Sequence, residues 1–516
     1  MRARLHVCTV SVLLLLANPP ASSTQFFVST TGSDTNPGTM DLPFETIQKA
    51  VGQSSTVFKP GDTVYVRGGV YSTATTTSLS KNGTGLARYH LLAYPGERAL
   101  LDCSSMPRAS GYRGIRLAGS YWYIYGLDVK AAADNGMNVT GSNNIVEFCT
   151  FFENGDTGLQ LGGGASNNRI INCDSYFNVD PGQGNADGFA PKLDVGTGNS
   201  FYGCRAWQNS DDGWDGYLRP ANDVSTTLEN CWCFMNGFLK SGAASVGNGN
   251  GYKMGGSDAR DLMHNFVLTQ CLAFDNREKG FDQNNNRGSM TLYNCTAYRN
   301  GRNYVIADTL AFSRGKILTV KNSLALGDYG SLHSAAVQQT NSWLAPFPPV
   351  TSADFLSVDT AGVRGPRKAD GSLPELPFLH LAPGSPLIDA GTDLGTPFNG
   401  SAPDLGAFES PAIPNGVTDG GGTIPEFRLL LNFPNPFNPS THIVYSLPAR
   451  GEVVLRIYDL RGSLIRELVH QEQEAGSYTV LWDGESARAQ ALAAGVYFAR
   501  VTFNGVARTA RLVLVR

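Results

Sequence analysis

Five residues carry the chemistry that this sequence offers: the carboxylates Asp187, Asp211, Asp212 and Asp215, and the amine of Lys253. They belong to a recurring segment made of a glycine, a large apolar residue and then a side chain on the opposite face of a strand. The segments are Gly158-Leu159-Gln160, Gly188-Phe189-Ala190, Gly213-Trp214-Asp215, Gly251-Tyr252-Lys253 and Gly280-Phe281-Asp282. Stacked in this alignment, Asp187 neighbours Asp212, Asp215 neighbours Lys253, and Asp211 adjoins the same cluster. Four converging carboxylates repel one another and destabilise a stack. A hard cation with oxygen ligands relieves that repulsion, and Ca²⁺ accepts six to eight oxygens in loose geometry. Zn²⁺ is disfavoured because neither His nor Cys accompanies the cluster. Asp187 alone would read as a turn residue before a glycine; five residues in register read as a site.

A second repeat defines the elements that must hold this cluster. Cys149, Cys173, Cys204, Cys231, Cys271 and Cys295 are each followed three residues later by an aromatic: Phe152, Tyr176, Trp207, Phe234, Phe274 and Tyr298. Five residues after each stands an asparagine: Asn154, Asn178, Asn209, Asn236, Asn276 and Asn300. Three residues before each is an apolar residue, from Val146 to Leu292. A unit this small buries no core alone, so units must stack. The expectation is a parallel β-helix with like residues ~4.8 Å apart. Its Asn column is an internal amide ladder, its Cys and aromatic columns are stacked core, and its cysteines are reduced.

Composition agrees. Of 516 residues only 16% are charged, and the net charge is −4. No basic excess exists for nucleic acid. A hydrophobic content of 41% excludes a disordered chain, and the low charge with many polar turns excludes a helical bundle. Arg2 and Arg4, then Leu13 to Leu16, then Ala21-Ser22-Ser23, mark residues 1–23 as a secretory signal peptide. Phe44, Ile47, Ala50 and Val51 lie at helical spacing and predict an N-terminal cap for the solenoid. The repeat fades near Ser331 into Pro-rich irregular chain, and residues 24–410 form one β-helix domain. Residues 411–426, with Gly420-Gly421-Gly422, are a linker. Residues 427–516 read as a separate β-sandwich, with strands near 453–458, 478–482, 496–503 and 510–515. The fold class is therefore all-β.

The stretches Asn185-Ala186-Asp187-Gly188-Phe189, Asn209-Ser210-Asp211-Asp212-Gly213-Trp214-Asp215 and Asn250-Gly251-Tyr252-Lys253 resemble the pectate lyases of polysaccharide lyase family 9. The opening Phe27-Val28-Ser29-Thr30-Thr31-Gly32-Ser33-Asp34 is similar to the start of that family's domain. The resemblance covers residues 26 to 410. It implies a right-handed parallel β-helix that cleaves polygalacturonate by Ca²⁺-dependent β-elimination. It assigns the metal to Asp187, Asp211, Asp212 and Asp215, and the base to Lys253. Tyr252 departs from the phenylalanine expected there, and the insertion between Phe238 and Gly249 bears on the groove. The residues suit this chemistry. A cation on a uronate carboxylate stabilises the charge that develops as the carbon 5 proton leaves, and a neutral Lys253 can take that proton. Arg205 and Lys279 are the next candidates for the base.

Two alternatives stay open. The Asp cluster could serve a polygalacturonase-like hydrolase, which needs an acid and a base around one bond. A non-catalytic β-helix, such as an adhesin or glycan-binding protein, has no need of a lysine beside a cation. Lys192, Lys279, Arg287 and Arg302 read first as solvated surface charges and could also bind further substrate carboxylates; Asp282 could contact substrate or hold a turn. In the C-terminal domain, Asn432-Phe433-Pro434-Asn435-Pro436-Phe437-Asn438-Pro439, Trp482-Asp483-Gly484 and Gly495-Val496-Tyr497-Phe498 resemble type IX secretion sorting domains and the immunoglobulin-like fold of hook-capping proteins. That implies outer-membrane passage through secretion machinery, with release or surface attachment. A carbohydrate-binding sandwich is the alternative. A monomer is expected.

Overall fold

The computed structural model describes residues 23–307, 315–368, 370–410, 427–433, 437, 439–488 and 490–514. The expected signal peptide and linker lie outside the described residues, except for Ser23.

The chain coils through three parallel sheets, one strand per sheet per turn. One sheet has twelve strands, from Gln25–Val28 to Val337–Gln339. The other two have ten each; one runs from Thr77–Leu79 to Gly330–Leu332 and the other from Gly69–Ser72 to Leu324–Leu326. The repeat seen in the sequence is the register of these sheets. Val146, Ile170, Phe201, Leu228, Leu268 and Leu292 pair in succession. So do Phe152, Tyr176, Trp207, Phe234, Phe274 and Tyr298.

The asparagine ladder forms as expected. Asn154 Nδ2 donates to Asn178 Oδ1 at 2.9 Å, Asn178 to Asn209 at 2.8 Å, and Asn209, Asn236 and Asn276 each pass a bond of 2.9 Å to the next. The residue before each ladder asparagine turns the corner in left-handed backbone, as at Gln208 with φ 49° and Met235 with φ 55°. That conformation costs a non-glycine residue roughly 1–2 kcal/mol, and the ladder supplies two amide bonds per rung at the same corner. Among the described residues the cysteines are buried and free.

The aromatic column corrects one expectation. It stacks, with Trp207 and Tyr176 rings 4.2 Å apart and Phe234 and Phe274 rings 4.7 Å apart. Yet it lies outside the coil, in a second core. The Pro-rich chain after the last coil crosses this face and buries it under Phe355, Val363, Leu373, Phe378, Leu381 and Leu387. Exposed aromatic rungs need a cover, and the irregular segment supplies one.

At the N-terminal end the capping helix is short, Ile47–Val51, with the Thr46 hydroxyl accepting from Lys49 N–H at 3.2 Å. Phe44 precedes it as an isolated bridge to Val28. Ile47, Ala50 and Val51 close the core. Among the described residues no helix is long and apolar enough to cross a membrane.

The C-terminal residues form two antiparallel sheets. Three strands are Arg428–Phe433, Thr441–Leu447 and Gly476–Trp482; four are Gly451–Tyr458, Leu464–Gln473, Gly495–Phe503 and Val506–Leu514. The inner faces enclose Ile443, Tyr445, Val453, Leu455, Trp482, Val501 and Leu512.

Candidate active site

The ten-stranded sheet from Thr77–Leu79 to Gly330–Leu332 carries the predicted cluster. Its inward face is a column of rings: Phe189, Trp214, Tyr252, Phe281 and Tyr304, with centroids 4.8–5.1 Å apart. Large stacked rings hold the rungs in register, and Asp215, Lys253 and Asp282 pair in succession on the other face. The tyrosine at position 252 is accommodated because its hydroxyl donates to Cys231 O at 2.6 Å.

Asp187, Asp212 and Asp215 bring one carboxylate oxygen each within 4.8 Å of one another. Lys253 Nζ lies 3.0 Å from Asp212 Oδ2 and 3.3 Å from Asp215 Oδ1. Backbone donors fix the acids: Asp212 N–H donates to Asp187 Oδ1 at 3.1 Å, Asn250 N–H to Asp212 Oδ1 at 2.8 Å, and Tyr217 N–H to Asp215 Oδ1 at 3.0 Å. Asp211 stands at the margin of the three. Its Oδ1 accepts from Asn248 N–H, on the insertion that follows Phe238. That insertion is strapped down by Arg277, which donates to Ser245 O and Gly247 O.

Burial dominates the electrostatics. It pushes Asp187 up to about 7 and Asp211 up to about 9, with neighbouring aspartates adding to the effect. Asp212 is raised as well, chiefly by burial. Asp215 moves the other way: burial opposes its charge, but Lys253 and Lys192 outweigh burial. Burial likewise opposes the charge on Lys253, and Asp212, Asp215, Asp211 and Asp187 override it and hold the ammonium well above its usual range.

The residues fit a hard cation. Asp212 Oδ2 and Asn250 Oδ1 are buried and accept no hydrogen bond; Lys253 approaches the former outside hydrogen-bond geometry. For Asn250 Oδ1, a buried acceptor without a donor, the cost is about 1–3 kcal/mol, and a cation that prefers oxygen offsets this. No imidazole or thiolate belongs to the group.

The structure redistributes the other candidates. Lys192 is no surface charge: it is buried, 2.7 Å from Asp187 Oδ2 and 3.5 Å from Asp215 Oδ2. Lys192 follows the end of the strand Phe189–Pro191, where no local pattern turns it inward, so neither a substrate contact nor a solvated charge describes it. Asp282 holds a turn, accepting from Asn284 N–H and Lys279 Nζ, each at 3.0 Å. Arg287 donates to Arg260 O at 2.8 Å. Arg302 is exposed, in register with Lys279. Arg205 is excluded as a base: it sits on a different sheet, bound to Asp174 at 2.7 Å.

Fold and site together define a parallel β-helix enzyme with a buried centre of carboxylates and lysines. Comparison with known proteins gives it a family. The Pel9A-like, right-handed β-helix region matches residues 26–322, and an FlgD Ig-like domain matches residues 440–505. Pectate lyase L of Dickeya chrysanthemi is 37% identical over 397 residues, covering 74% of this chain and 90% of the relative. Pectate lyase PEL9 of Emericella nidulans is 33% identical over 404 residues, covering 73% and 96%. The crystal structure of pectate lyase Pel9A superposes with a TM-score of 0.69 at 36% identity, covering 75% of this chain and 97% of that one. The chain belongs to the Pel9A-like right-handed β-helix family and is an enzyme of the pectate lyase class, a polysaccharide lyase.

Proposed function

We propose that the chain cleaves polygalacturonate by β-elimination, with Lys253 as the base and Asp187, Asp211, Asp212 and Asp215 holding a Ca²⁺. The observation that carries this is the amine of Lys253 in ion-pair range of two buried carboxylates, one of which keeps an oxygen without a hydrogen bond. Bound Ca²⁺ supplies positive charge that stabilises the negative charge growing on a uronate carboxylate. Lys253 takes the carbon 5 proton, a double bond forms between carbons 4 and 5, and the bond from carbon 4 to the glycosidic oxygen breaks; the leaving oxygen gains a proton from solvent to become a hydroxyl, and Lys253 releases its own to solvent. No water is added across the cleaved bond. Lys253 must be neutral to act, and the surrounding carboxylates favour its charged form, so the rate rises toward alkaline pH.

The test is absorbance of the unsaturated product from polygalacturonate, with calcium and with chelator. Reducing ends without that absorbance would establish hydrolysis instead. Calcium-independent elimination would remove the metal from the reading, provided the chelated protein is shown to be metal-free.

Residues 1–23 are proposed to direct export, residues 24–410 to be the lyase domain, and residues 411–426 to link it to residues 427–516. That last domain is proposed to engage type IX secretion machinery, so that the enzyme acts as a monomer, secreted or held at the cell surface. In the native host, deletion of residues 427–516 should strand the enzyme in the periplasm; unchanged delivery outside the cell would refute the sorting role.

A further inference from the structure

The elimination gives Lys192 no part, yet Lys192 is as deeply buried in this centre as Lys253. It follows the strand Phe189–Pro191 by one residue. Its Nζ donates to Asp187 Oδ2 at 2.7 Å and lies 3.5 Å from Asp215 Oδ2. Asp215 is thereby divided between two amines. Oδ2 faces Lys192, while Oδ1 faces Lys253 at 3.3 Å and accepts from Tyr217 N–H. Thr157 Oγ1 also donates to Asp187 Oδ2, at 3.2 Å, so the oxygen that Lys192 contacts is fully engaged. A lysine tied this way to an edge of the cluster is poorly placed to leave for substrate.

We infer that Lys192 is a fixed counter-charge that matches the centre to a divalent cation. The inference rests on the cation reading above. Ionised, the four aspartates carry four negative charges. Lys192 and Lys253 return two, and the remainder equals the charge of one divalent ion. Without Lys192 the remainder is three, which suits a trivalent ion. Coulomb energy scales with the ion's charge, so removing one positive charge about 5 Å away favours every cation and favours a trivalent one more. At an effective dielectric of about 40 the preference for trivalent over divalent changes on the order of tenfold. A lysine that served only as a strut would give the opposite sign, because Asp187 and Asp215 would lose their support and both ions would bind more weakly.

The experiment titrates the full chain with Tb³⁺ and displaces it with Ca²⁺, following Tb³⁺ luminescence excited through nearby rings such as Tyr217, 5.7 Å from Lys253 Nζ. Wild type, Lys192→Met, Lys192→Gln and Lys192→Arg are compared, each checked for fold by circular dichroism. Lys192→Met should tighten both ions and raise the Tb³⁺ over Ca²⁺ preference on the order of tenfold. Lys192→Gln, which keeps a donor without the charge, should do the same if the methionine variant does not fold. Lys192→Arg should retain the wild-type preference. An unchanged preference in the uncharged variants, or weaker binding of both ions, overturns the counter-charge role. Wild-type protein that binds neither ion overturns the cation reading itself.

Discussion

Two buried clusters of charge sit on different sheets of the β-helix, and they are built to opposite rules. On the sheet under the C-terminal cover, Asp174 is gripped by Arg205 at 2.9 and 2.7 Å and by Arg367 at 2.6 Å. Other guanidinium N–H groups donate to Val363 O and Gly365 O, and to Gly203 O, Gly371 O and Cys173 O. One acid meets two permanent cations, and burial of Asp174 is overridden by Arg367 and Arg205, so its carboxyl titrates below the ordinary range. At the candidate active site acids outnumber cations by two, burial raises Asp187, Asp211 and Asp212, and Asp212 Oδ2 lacks a hydrogen bond. In the first cluster the acid is matched by its cations, though Arg367 Nε has no partner, and the cluster clamps Val363, Gly365, Arg367 and Gly371 to the coil. The second is incomplete by itself, which is how a protein holds a place for a ligand.

Substitution of Lys253 should give the largest effect. Lys253→Ala should lower turnover on polygalacturonate by about 10²-fold or more, with the fold retained, as read from product absorbance and circular dichroism. A variant that keeps more than about a tenth of wild-type turnover would make another group the base.

Breaking the clamp should exchange the outcomes. Arg367→Ala leaves Asp174 with Arg205 alone and the carbonyls of Cys173, Gly203 and Gly371 short of donors, and should cost about 1–3 kcal/mol in denaturant unfolding. Turnover of the folded fraction should change little, since Asp174 lies on a different sheet from Lys253. Comparable losses in stability and turnover would mean that the two regions are coupled.

pH separates the clusters by sign. The raised aspartates bind protons more tightly folded than unfolded, where a carboxyl titrates near ~3.9. Metal-free protein should therefore lose stability as pH rises from about 4, through about 7 for Asp187 and about 9 for Asp211. Calcium should cancel that loss, and Asp211→Asn should flatten it. Asp174 acts in reverse: its contribution is present above ~3.9 and disappears as acid protonates it through its lowered folded value. Melting temperatures across pH, with calcium and with chelator, test both; a metal-free curve that rises from pH 5 to 9 would contradict the assignment.

The smallest effect is expected from removing residues 427–516. Turnover and calcium dependence should stay within about twofold, because two sheets with their own core should fold independently of the coil. Thermal unfolding and product absorbance of the shortened chain provide the check.

Much of this was legible in the sequence because a β-helix turns repetition into contact. Cys149 and Asn154 predict the places of Cys173 and Asn178, and counting from them puts Asp215 beside Lys253. Local pattern also marked the capping helix, from the spacing of Ile47, Ala50 and Val51, and most of the sandwich strands, though Arg428–Phe433, Thr441–Leu447 and Leu464–Gln473 carry no such mark.

What repetition does not encode had to come from the tertiary structure. The sequence by itself determined the rungs, the ladder and the outward acids, since these depend on spacing along one coil. Three facts depended on packing between segments far apart in the chain. The aromatic column became a second core because residues after Ser342 fold back over it. Asp211 became the margin of the cluster because the insertion at 239–249 brings Asn248 N–H to it. Lys192 became part of the centre because its long, flexible stem reaches Asp187 and Asp215 once neighbouring coils stack. In each case the partner is set by where another piece of chain comes to rest, and no local propensity specifies that.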